Sequence, residues 1–162
     1  MKTKLHLLIT TLALSLALFL SACTGGDAGT STSENNTPPA LTEEEYQEAV
    51  NTLSTDLSTI QADANSVNLN DEENAKKILE DLKKPFSDFM NVNPPEAYAE
   101  AHTKLQSGCQ AMIDYIDTVN SLIGETDTAK LQEAQNTMTE QLQTAVNDLI
   151  EGGTMLDEAM NQ

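Results

Sequence analysis

Few side chains in this 162-residue chain are equipped for chemistry. There are two cysteines, Cys23 and Cys109, and two histidines, His6 and His102; arginine is absent. His102 and Cys109 are the first pair to weigh. A cysteine–histidine nucleophile needs the two side chains in hydrogen-bond contact. Seven residues apart on one helix, they are separated by about 10.5 Å along its axis at 1.5 Å per residue, so direct pairing is not expected. Cys109 and Met112, three residues apart, present two soft ligands on one helical face. With His102 they support an alternative reading, a soft-metal or haem-binding bundle using His102, Cys109 or Met112. The plainer reading is a small buried thiol and an adaptable core methionine. Tyr98 and His102, four residues apart near a helix start, are candidates to line a ligand pocket at a bundle end. Otherwise His102 reads as a core-edge histidine bonded to backbone or to a nearby glutamate.

Cys23 stands in a different setting. Met1-Lys2-Thr3-Lys4 precedes an apolar run from Leu5 to Leu20 with a core of about 15 residues. Basic start, leucine-rich stretch and small-residue exit are the three parts of a secretory signal. A permanent membrane span needs roughly 20 apolar residues, so a cleaved signal is the better expectation. The exit Leu20-Ser21-Ala22-Cys23 resembles the bacterial lipobox, an aliphatic residue and two small ones before an obligatory cysteine. That resemblance implies diacylglycerol on the Cys23 thiol and cleavage between Ala22 and Cys23. Two acyl chains suffice for stable anchoring, at about 0.8 kcal/mol per buried CH₂. The expected location is therefore the extracytoplasmic face of a cell membrane, held by lipid. The missing arginine and abundant Asn and Thr lean towards a low-GC Gram-positive source. Thr24–Ala40 contains no large apolar residue and should stay unfolded as a tether. About 17 residues of such coil reach roughly 20–25 Å.

Charge narrows the partners. The chain carries 8 basic and 26 acidic residues. Loss of residues 1–22 removes Lys2 and Lys4, leaving six bases against 26 acids, a net charge of −20. Nucleic acid depends on Lys and Arg contacts and is excluded as a partner; anionic lipid is likewise repelled. Lysines 76, 77, 83 and 84 alternate with acids as on a solvated helix face. With Cys23 lipidated, Cys109 has no partner for an intramolecular disulfide, so the core alone must hold the fold.

The elements that must position these residues follow from apolar spacing. Thr42 and Glu45 form a capping box, and Tyr46, Val50, Leu53, Leu57, Ile60 and Ala64 recur every three or four residues. A second stripe, Ala75 to Met90, follows Asp71 and contains Pro85, for which a kink or break near Lys83-Lys84 is expected. Pro94-Pro95 opens a third helix with the stripe Tyr98, His102, Leu105, Cys109, Met112, Ile116, Val119 and Ile123; Gly124 stops it. Thr126-Asp127-Thr128 caps a fourth, whose inner face is Leu131, Met138, Leu142, Ala145, Leu149 and Leu156, with Gln135 in one seam position. Gly152-Gly153 either breaks that helix or allows close helix contact. No strand alternation occurs. The expectation is all-α: an antiparallel up-down four-helix bundle over residues 41–162, with helices at about 42–64, 71–91, 94–123 and 127–160, after a signal (1–22) and a linker (23–40).

The segment Pro94–Leu105 is similar to a stretch of uncharacterised helical lipoproteins of Gram-positive bacteria. No Glu-x-x-His pair, Cys-x-x-Cys-His, Gly-x-Ser-x-Gly, Walker loop or EF-hand loop is present. The chain is therefore expected to be no enzyme, with no catalytic residue, metal ligand set or cofactor. Its expected role is that of a membrane-anchored module binding an envelope protein or a small ligand.

Overall fold

The computed structural model describes residues 39–66 and 71–161. The expected signal, the expected cleavage pair Ala22 and Cys23, and most of the expected linker lie outside them. Four helices make up the described chain: α1 (Glu43–Ser66), α2 (Glu72–Met90), α3 (Ala99–Ser121) and α4 (Thr128–Met160), with a single 3-10 turn, Glu96–Tyr98, before α3. No strand occurs among the described residues. The fold is the expected all-α helical bundle.

Helix starts follow their local chemistry. The Thr42 N–H donates to Glu45 Oε2 at 2.8 Å, and the Glu45 N–H donates to Thr42 Oγ1 at 3.2 Å, which is the reciprocal capping box. Asp71 accepts from the Asn74 N–H at 3.2 Å. Asp127 accepts from the amides of Ala129 and Lys130. The third helix begins later than its prolines suggest. Pro95 is extended (φ −56, ψ 149), and the chain tightens into the 3-10 turn before turning α-helical at Ala99. At its other end Gly124 takes φ +84, the left-handed conformation that glycine adopts without a Cβ clash.

Two expected weak points lie inside continuous helices. Pro85 sits within α2, which does not break at Lys83-Lys84. Buried residues on both sides of the proline, Leu79 and Leu82 before it and Phe86 and Phe89 after it, hold the helix to the core. Gly152-Gly153 sits within the 33-residue α4. Here the close-contact alternative applies to one glycine: a Cβ on Gly152 would lie 2.8 Å from Leu105 Cγ. The contact is reciprocated, since a Cβ on Gly108 of α3 would lie 2.7 Å from Leu149 Cγ of α4. Each glycine is the hole for a leucine of the other helix. Gln135 is exposed and does not enter the seam; Ala134 packs there instead.

Consecutive helices are neighbours, with α3–α4 the most extensive packing, then α2–α3, then α1–α2. α1 and α4, the pair that would close the ring, make no comparable backbone approach. α3 is thus central, which is why it buries ten residues from several faces. Among the described residues, no helix is long and apolar enough to cross a membrane.

Candidate functional site

The alternation of direction in an up-down bundle brings the starts of α1 and α3 to the same end as the finish of α2. At that end the apolar stripes supply aromatics: Tyr46 from α1, Phe89 from α2, Tyr98 from the 3-10 turn and His102 from α3. All four are buried. Tyr46 is the hub, with its ring centroid 5.5 Å from Tyr98, 5.6 Å from His102 in an edge-on arrangement, and 6.2 Å from Phe89. Phe89 also lies 5.1 Å from His102. These spacings are within the favourable range for aromatic pairs.

The polar contact of the cluster is Tyr46 Oη to His102 Nδ1, 2.9 Å. His102 is only 3% exposed. Its Nε2 has no hydrogen bond of ordinary geometry, although the Val92 carbonyl is near enough to favour a proton on the ring. With the neutral ring protonated at Nε2, Nδ1 accepts and the Tyr46 hydroxyl donates. Burial pushes the His102 pKa down, and the Val92 carbonyl only partly opposes it. Tyr46 is pushed well above its usual range, by burial first and by the nearby Cys109 second, so its hydroxyl keeps the proton it donates. Cys109 is fully buried and its thiol is pushed up to about 12 by that burial. A thiol held protonated is a poor nucleophile, because attack needs the thiolate.

The structure therefore brings Tyr98 and His102 together, as their spacing suggests, but within packed core and joined through Tyr46. The partner of His102 is this tyrosine rather than a glutamate. His102, Cys109 and Met112 are all buried on α3. Among the described residues no three His, Cys, Asp or Glu side chains are grouped to hold a metal ion. Sequence reasoning placed Tyr46 in the core without linking it to His102. The signal was available: in an up-down bundle the first and third helices run parallel, so residues near their starts share an end.

A second feature lies away from this cluster. Asp56, Thr59 and Ile60 of α1 and Ile78, Asp81, Leu82 and Pro85 of α2 line a groove of about 330 Å³. Neither aspartate stood out in the sequence, because each occupies an ordinary solvent-side position of its helix.

The comparisons add a family and no activity. No curated protein and no solved structure matches the chain. The match to a family of unknown function, DUF6376, runs over residues 40–159, nearly the whole four-helix body, and the chain belongs to that family.

Proposed function

We propose that the four-helix domain is a non-enzymatic binding module, held outside the cell membrane by lipid on Cys23. The observation that carries this reading is Leu20-Ser21-Ala22-Cys23 at the end of an apolar run, followed by a spacer without large apolar residues. The folded body supports it. The Leu41 N–H donates to the Asn93 carbonyl at 2.9 Å, so the described chain enters the bundle at the end where α1 starts and α2 finishes. Inside, the reactive groups are committed to packing: Cys109 is buried as a thiol and the His102 ring faces Tyr46. An enzyme would need such groups open to a substrate.

Replacing Cys23 with Ala tests the anchor. The variant should fold normally and move from the membrane fraction to the soluble fraction or the medium, while wild-type protein takes up labelled palmitate. Continued membrane partition of Cys23→Ala protein would sink the lipid-anchor reading. Crosslinking on intact cells, with empty captures at every surface position, would remove support for the binding role.

A further inference from the structure

Asp81 and Pro85 both line the groove between α1 and α2. The floor is apolar, with Ile60 and Leu82 buried and Ile78 and Pro85 half-buried. The polar groups at its rim all accept. Asp56 and Asp81 contribute carboxylates. The Thr59 hydroxyl spends its proton on the Thr55 carbonyl at 3.4 Å, leaving only lone pairs. Neither aspartate is in an ion pair among the described residues. Lys83 is taken by Glu80 and Asp117, and Lys84 by Asp88. Lys77, one turn from Asp81, closes no bridge there.

An acceptor-only rim over an apolar floor is complementary to a group that only donates and is positively charged. A neutral hydroxyl or amide ligand would set its own acceptors against those of the rim. Two carboxylates fall short of the six to eight oxygens that calcium takes. The volume is at the small end of ligand sites, which run from about 300 to 1,000 Å³.

We infer that the α1–α2 groove binds a small alkylammonium ligand, its ammonium against Asp56 and Asp81 and its apolar stem on Ile60, Ile78 and Leu82. This rests on the binding-module reading and names the ligand class for it.

The test is methyl NMR of the full chain in neutral detergent, titrated with n-butylammonium and, separately, with n-butanol. Saturable shifts at the Ile60, Ile78 and Leu82 methyls with the amine only are expected. Asp56→Asn and Asp81→Asn should each weaken binding about three- to fivefold, the worth of a partly exposed charge pair. Glu133→Gln, which removes an acid elsewhere on the surface, should leave it unchanged. Equal shifts with butanol, or equal loss of affinity in Glu133→Gln, overturn the proposal as general partition or general charge. Nα-acetyl-lysine methylamide separates the two sources of an ammonium: tighter binding than butylammonium assigns the groove to a partner's lysine and overturns the small-ligand assignment. Saturable shifts confined to another part of the bundle overturn the groove while leaving the binding-module reading standing.

Discussion

The Tyr46–His102 hydrogen bond is the residue-level decision on which the bundle end depends. Tyr46→Phe keeps the ring and removes the donor, leaving Nδ1 buried and unpaired. A loss of about 1–3 kcal/mol of unfolding free energy is expected in urea titration. The same histidine sets a pH dependence. Its pKa is lowered in the fold, so between the folded value and the unfolded value of about 6.5 the unfolded chain binds more protons. Stability should therefore fall as pH drops below about 6.5 and level off once the folded ring titrates. His6 lies outside the described residues, so His102 is the one histidine of the bundle. His102→Phe should flatten the slope in that window, before the carboxylates titrate. Cys109 supplies the opposite limb. With its thiol pushed up to about 12, the fold retains a proton that the unfolded chain releases from about pH 8.5 upward, and stability should decline there. In the native state Cys109 should resist thiol reagents and react fully in denaturant, a difference read by mass spectrometry.

Among elements, α3 and α4 make the tightest pair, and their glycines show why. Gly108→Ala would drive a Cβ into Leu149 Cγ at 2.7 Å and against the Leu149 backbone nitrogen at 3.0 Å. Overpacking of about 1–3 kcal/mol outweighs the helix gain of up to about 1 kcal/mol, so net destabilisation is expected. At Gly153 a Cβ would meet nothing within 4 Å. Gly153→Ala should then stabilise by about 0.5–1 kcal/mol, since alanine restricts the unfolded chain and favours helix. The two variants, compared by urea midpoint, should move in opposite directions. Equal shifts would mean that the two glycines do not differ in packing. Flanking the seam, Lys104 bridges Asp148 and Glu151 at 3.5 and 2.9 Å, and Ser107 donates to Asp148 at 2.5 Å. Such partly exposed links add little stability.

For the whole molecule, charge is the dominant field. Eight lysines face 26 acids over the full chain, and several of the lysines are spent in local bridges on the bundle surface. Self-repulsion of this kind weakens a compact state and is screened over about 10 Å at 0.1 M salt. The melting temperature should rise as sodium chloride is increased from low ionic strength to about 0.5 M. A flat response would show that the acids are spaced widely enough to ignore one another.

Much of this protein is determined locally and is therefore legible in its residues. A capping box, side-chain N-caps, apolar stripes at three- and four-residue steps, and turn residues such as Gly124 act within a few positions of chain, so helix number and order follow from the sequence. The lipobox-like segment around Cys23 is equally local. What only the tertiary structure decided depends on residues far apart in the chain. The 56-residue step from Tyr46 to His102, the mutual fit of Gly108 with Leu149 and Gly152 with Leu105, and the groove that Asp56 and Asp81 both line all arise from how helices are placed against one another. A stripe states which face a helix buries; it does not state which residue of the next helix will lie opposite. That register is set by side-chain volumes summed over the whole seam, and the close helix contact that Gly152 allows says nothing, by itself, of the leucine that will fill it.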